Sequence, residues 1–198
     1  MSRTSRLPRS ICVYCGSRPG RDPRLAADAA AFGRTLAEAG ITLVYGGGSI
    51  GLMGILARSV LEHGGRVIGI IPGHLDHREI TQTGLTELHV VGSMHERKRM
   101  MFERSDAFVA LPGGIGTLDE TIEIVTWRQL HLHDKPVILV DLRGYWQPLL
   151  KLLDHMNEEG FAGPEVHGLF EVVSSMDEIL PALAASPAPD LPDREELL

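Results

Sequence analysis

Short apolar runs that stop at glycine or Pro-Gly alternate with stretches of helical periodicity along nearly the whole chain, and this alternation restricts the fold more than any single residue does. Residues 10–15, 41–45, 66–71, 87–91, 107–111, 136–140 and 170–173 read as strands. The intervening patterns predict helices over 23–39, 50–63, 93–104, 117–130 and 147–158, and a last one opening at Ser175 or Asp177 and running to 184. In the first helix Leu25, Ala29, Phe32 and Leu36 share one stripe and Gly40 is the stop. Ser93 and Glu96 have the spacing of a capping box.

Strands separated by helices pair in parallel, because a parallel neighbour is reached only by a crossover. The expected fold class is therefore α/β, a single doubly wound Rossmann-like domain with a mainly parallel sheet over residues 10–185. A polar leader, 1–9, precedes it. A mobile tail of mostly Pro, Ala, Asp, Glu and Leu, 186–198, follows it, and residues 74–84 read as a loop over one end of the sheet. In such sheets ligands bind beyond the carboxyl ends of the strands, where the strand order reverses. Three glycine turns emerge at that end, Gly16-Ser17, Gly46 to Gly48, and Gly113 to Gly116.

The 198 residues carry 19 basic and 26 acidic side chains, a net charge of −7, which argues against a continuous nucleic-acid-binding face. No apolar run approaches the ~20 residues that span a bilayer. The leader is basic, with Arg3, Arg6 and Arg9, but the apolar piece after it is too short for a signal-peptide core, so the expected compartment is the cytoplasm. Cys12 and Cys15 form a C-x-x-C within a strand, which separates their Cα atoms by roughly 10 Å. That is beyond disulfide reach, and zinc would need two more ligands, so both read as ordinary thiols.

Leu111-Pro112-Gly113-Gly114-Ile115-Gly116-Thr117 ends a buried strand and opens a helix. Its glycines let backbone approach a ligand, and free N–H groups at a helix start favour an anion. The same stretch has a purely structural reading, with Thr117 and Glu120 as a capping box. In the helix from Met94, Arg97 and Lys98 share a stripe with Met94 and Met101, whereas Glu96, Arg99 and Glu103 fall opposite. Cations beside a thioether suit a nucleotide, and surface snorkelling of Arg97 is the alternative.

Gly46-x-Gly48-x-x-Gly51 matches a dinucleotide fingerprint, but the next strand ends Ile70-Ile71-Pro72 with no acid for a ribose, and the match falls in the second βα unit. No nucleoside-triphosphate P-loop sequence is present. His74-x-x-His77 and His131-x-His133 lack a third metal ligand and read as surface or loop histidines. Trp127 is either core or a pocket wall.

Taken together, Gly46-Gly47-Gly48-x-x-Gly51-x-Met53-Gly54, Met94-His95-x-Arg97-Lys98 and Pro112-Gly113-Gly114-x-Gly116-Thr117-x-x-Glu120 resemble the Lonely Guy (LOG) family of cytokinin riboside 5′-monophosphate phosphoribohydrolases. The resemblance covers residues 11–162, including Trp127-x-Gln129-Leu130 and His133-Asp134-Lys135-Pro136. It implies hydrolysis of the N-glycosidic bond of AMP or an N6-substituted AMP such as isopentenyl-AMP, with Arg97 and Glu120 as the catalytic pair and neither metal nor cofactor. It also implies a 5′-phosphate on Gly113, Gly114, Gly116 and Thr117, a nucleotide pocket that includes Ser17, Met94 and Lys98 beside Gly46, Gly47 and Gly48, and a homodimer.

The helix faces near Met100-Met101-Phe102 and Ile122 to Val125 are the expected dimer contacts. Breaking a ribosyl C–N bond passes through an oxocarbenium-like state, which a carboxylate stabilises, so the chemistry accepts Glu120 in that role. A molybdenum-cofactor carrier of similar fold is the non-enzymatic alternative. Amino-acid decarboxylation is the rival enzymatic activity, and would need pyridoxal phosphate on Lys98, Lys135 or Lys151.

Overall fold

The computed structural model describes residues 7–75 and 82–187. Among them seven strands form one sheet: β1 (Ser10–Tyr14), β2 (Thr42–Tyr45), β3 (Val67–Pro72), β4 (Glu87–Val91), β5 (Ala107–Ala110), β6 (Val137–Val140) and β7 (Glu171–Val173). Their order is β4-β3-β2-β1-β5-β6-β7. Every neighbouring pair is parallel, so the sheet is wholly parallel where the sequence pattern promised a mainly parallel one. The order runs outward from β1 in both directions, and the winding reverses between β1 and β5.

The helices are α1 (Arg24–Glu38), α2 (Gly51–Glu62), α3 (Met94–Glu103), α4 (Ile115–Gln129), α5 (Gln147–Glu158) and α6 (Ile179–Ala185). One face of the sheet packs on α1, α2 and α6 through Phe32, Leu36, Leu56 and Ile179. The other packs on α3, α4 and α5 through Phe102, Ile124 and Leu153. β1 shows why: Ile11, Val13 and Cys15 join the first cluster and Cys12 and Tyr14 the second, as the two-residue period of a strand requires. The cysteines therefore face opposite sides of the sheet. Both are free and buried, and burial pushes both thiols well up from their ordinary value.

Most strand limits fall within one residue of the sequence reading. The start of helix α4 differs more, because the helix begins at Ile115 behind an extended Gly114 N-cap, two residues before the Thr117 opening that the periodicity suggested. Thr117 and Glu120 thus lie inside the helix and form no capping box. At α3 the Ser93 half of the box forms, with Ser93 Oγ accepting from Glu96 N–H at 3.1 Å, while Glu96 Oε2 accepts from the N–H of Gly92, one residue before the N-cap, at 2.7 Å.

The last helix is preceded by a 3-10 turn, Met176–Glu178. Residues 1–6 and 188–198, which hold most of the expected leader and tail, lie outside the described residues, as does His77. Met101, Phe102, Ile124 and Val125 are buried in the chain's own core, so these parts of the helix faces read as dimer contacts point inward, and of the apolar residues there Met100 and Ile122 are the ones that reach the surface.

Candidate active site

Where the winding reverses, three loops are bonded together. Gly16 N–H donates to Pro112 O at 3.1 Å, and Gly16 O accepts from the N–H groups of Leu52 and Met53 at 3.0 and 3.3 Å. Between the loops lies a cleft of about 320 Å³ whose lining includes Ser17, Arg18, Gly113, Gly114 and Tyr145. Arg18 is the one charged residue in that lining. Helix α4 opens into the cleft with no side-chain cap, which leaves the N–H groups of its first turn to a ligand and turns the positive end of its dipole toward it.

The glycines of this turn do different things. A Cβ on Gly113 would stand 2.1 Å from Thr117 Oγ1, so packing demands glycine there. A Cβ on Gly114 or Gly116 meets no atom within 4 Å. Their bare backbone is therefore not explained by the fold, and it is what an anion seated on α4 would need.

Arg97 and Glu120 converge from α3 and α4. Nη1 of Arg97 lies 3.1 Å from Oε1 of Glu120, and the two side chains are 10% and 9% exposed. Arg97 Nε donates to the Ile70 carbonyl at 3.2 Å, which fixes the guanidinium against the end of β3. Its Nη2 end reaches Gly46, where a Cβ would come within 2.0 Å of Nη2, and Met53 Sδ sits beside the same position. Gly47 has a left-handed φ of +80°, Gly48 is buried, and at Gly51 a Cβ would meet the Ser17 backbone at 2.3 Å. These glycines make room for a guanidinium and for the β1–α1 loop, so the resemblance to a dinucleotide fingerprint has a packing origin.

Burial pushes the Glu120 carboxyl up from its ordinary value, and the Arg97 and Lys98 charges oppose that without overcoming it. A carboxyl held in this way is poised to exchange a proton. Lys98 does not face the cleft. Its Nζ pairs with Asp119 Oδ2 at 2.7 Å and Glu123 Oε1 at 3.3 Å, which ties α3 to α4 beside the Arg97–Glu120 pair. Met94 is half-buried at the start of α3, Ser17 is half-buried in the cleft, and Thr117 is buried beneath Gly113. From Gly114 to Glu120 the axis of α4 rises about 9 Å, comparable to a ribose 5-phosphate laid along it.

Sequence reasoning assigned no role to Arg18 or Tyr145. Arg18 was visible only as a cation inside a glycine turn, and Tyr145 reaches the site from the β6–α5 loop, far from any motif. The three lysines considered for a Schiff base are placed elsewhere: Lys98 in its ion pairs, Lys135 buried over the Phe102 ring at 3.8 Å, and Lys151 exposed on α5. His133 is buried with Nε2 3.0 Å from the Ile124 carbonyl, and His131 is exposed. Trp127 is half-buried and meets Phe102 edge-on at 5.5 Å, so it serves partly as core.

A family model described as a possible lysine decarboxylase matches residues 53–183. A cytokinin riboside 5′-monophosphate phosphoribohydrolase of Rhodococcoides fascians is 43% identical over 177 residues, 89% of either chain. A protein of the same name from Arabidopsis thaliana is 46% identical over 173 residues, 87% of this chain and 81% of the relative. Among solved structures, a molybdenum cofactor carrier protein from Chlamydomonas reinhardtii superposes with a TM-score of 0.66 at 24% identity, over 90% of this chain and 96% of that one. A molybdenum cofactor binding protein from Rippkaea orientalis gives 0.67, also at 24% identity, over 90% and 96%. At that identity the likeness is one of fold alone, whereas identity above 40% over nearly the whole domain shows the family: the chain belongs to the Lonely Guy family of cytokinin riboside 5′-monophosphate phosphoribohydrolases.

Proposed function

We propose that the chain hydrolyses the N-glycosidic bond of adenosine 5′-monophosphates, N6-substituted ones included, to give the free base and ribose 5-phosphate. The observation that carries this reading is the buried Arg97–Glu120 pair, 3.1 Å apart, in which Arg97 comes from α3 and Glu120 from α4, the helix that starts in the glycine cleft. The 5′-phosphate is taken by the first turn of α4, with Gly113, Gly114, Gly116 and Thr117 supplying backbone and Arg18 supplying charge. The ribose then lies along α4 toward Glu120. As the C1′–N9 bond lengthens, the Glu120 carboxylate stabilises the positive charge on the sugar and takes a proton from the attacking water. Water contributes hydroxide to C1′, the base leaves with the bonding electrons and takes a proton from solvent, and Glu120 returns to solvent the proton it took from the water. Arg97 orients Glu120 and offsets the cost of its buried charge. Chromatography of base release from AMP and from isopentenyl-AMP tests the reading, with the adenosine and isopentenyladenosine nucleosides as phosphate-free controls.

The working form is a homodimer built on the outer face of α4. Ile115 is 85% and Leu118 37% exposed, and with Ile122 and Trp127 they line a groove of about 550 Å³. This stripe lies on the same helix as Glu120, so a second copy seated on it would border the substrate. The net charge of −7 favours a small nucleotide over a nucleic acid, and among the described residues no helix is long and apolar enough to cross a membrane. The cytoplasm is the proposed compartment, because the apolar residues after the basic leader form the central strand β1.

A further inference from the structure

Tyr145 stands at the rim of the cleft and is 44% exposed, yet its hydroxyl donates a hydrogen bond to the Gly113 carbonyl. The loop that presents it is held from several sides. Arg143 and Gly144 both adopt left-handed backbone, with φ of 56° and 76°. The Arg143 guanidinium reaches across to Asp22 at 2.9 Å and Asp28 at 2.6 Å, on the β1–α1 side of the cleft. Asp141 accepts from Trp146 N–H at 2.7 Å and from Gln147 Nε2 at 2.5 Å. Trp146 in turn meets the Tyr145 ring edge-on at 5.0 Å. An exposed aromatic is thus held on one carbonyl of the glycine turn.

We propose that Tyr145 is a positioning residue for the anionic end of the substrate: by occupying the Gly113 carbonyl it fixes which way the Gly113–Gly114 peptide faces. In a trans peptide the C=O and N–H point in opposite directions, so a carbonyl turned toward Tyr145 turns the Gly114 N–H away from it. No Cβ on either residue resists a flip, and a flipped peptide would set a carbonyl oxygen against the phosphate instead of a donor. The proposal rests on the placement of the 5′-phosphate at α4 given above, and it adds the group that keeps the cradle's polarity.

The test compares wild type, Tyr145→Phe and Tyr145→Leu in the full chain. The readouts are calorimetric binding of ribose 5-phosphate and of ribose, KM and kcat with AMP, and Tm. Loss of the hydroxyl alone raises the Kd for ribose 5-phosphate and the KM for AMP together by about tenfold, with kcat and Tm nearly unchanged. The leucine variant does the same and little more. An unchanged ribose 5-phosphate Kd in Tyr145→Phe overturns the proposal, as does a loss confined to Tyr145→Leu, which would assign the effect to ring packing. A wild type that does not prefer ribose 5-phosphate to ribose overturns it too. A wild type that binds ribose 5-phosphate but cleaves no nucleotide contradicts the hydrolase reading only, and Tyr145 is then judged on binding.

Discussion

Glu120 is a carboxyl whose surroundings pull in two directions. Burial raises its pKa and the Arg97 charge lowers it, with burial the larger effect. The folded protein therefore holds the Glu120 proton to a higher pH than the unfolded chain does. Between the ordinary glutamate value and the raised one, Glu120 contributes stability that is lost as pH rises. Glu120→Gln cannot ionise and keeps an oxygen for Arg97 Nη1. Its Tm at neutral pH is expected to equal or exceed the wild-type value while turnover falls by about 100-fold or more. A thermal melt several degrees lower would contradict this account of the site. The same raised pKa places the acidic limb of kcat/KM above the ordinary glutamate range, which a pH–rate profile reads directly. Gly46→Ala makes the complementary case for the guanidinium. The new methyl displaces the far end of a side chain rather than backbone, so stability should change little while kcat drops by roughly 100-fold. That Arg97 and Glu120 come together was legible in sequence through motif spacing and family resemblance. The Thr117–Glu120 capping box was misread, because a glycine N-cap leaves no side-chain signature to mark the true helix start.

Helix α4 links the proposed anion cradle to the Arg97–Glu120 pair, and its first turn separates glycines required by packing from glycines left open. Gly113→Ala collides with Thr117 and should destabilise the fold. Gly114→Ala meets no neighbour and has an extended backbone that alanine accepts, so its Tm should hold while a methyl at the mouth of the cradle raises KM for AMP about tenfold. A melt of Gly114→Ala that falls as far as that of Gly113→Ala would return the motif to simple turn geometry. Elements of this kind were readable to within a residue wherever a strand was buried on both faces, as in β5 and β6, because a short apolar run bounded by polar residues or proline suits a central parallel strand and is too short for a buried helix. The β6–α5 loop was not readable. Arg143 is an arginine in left-handed backbone, and nothing local in the sequence announces the Asp22 and Asp28 partners that hold it.

At the scale of the whole molecule, the strand order puts β1 and β5 side by side and so brings three distant loops to one cleft. Alternation of strands and helices indicated the class of fold, but the order of strands depends on crossovers that periodicity does not encode. The exposed stripe on α4 belongs to this scale as well. Leu118→Asp should convert a species of twice the chain mass into one of single mass by light scattering. A wild type already at single mass would remove the dimer from the account. The central claim is that a guanidinium and a carboxylate from neighbouring helices cleave a nucleotide held by α4, and base release from isopentenyl-AMP measures it most directly. Wild type should liberate free base and ribose 5-phosphate, and Arg97→Ala and Glu120→Gln should each lose about 100-fold or more in kcat. Wild-type turnover in the double variant would contradict the claim.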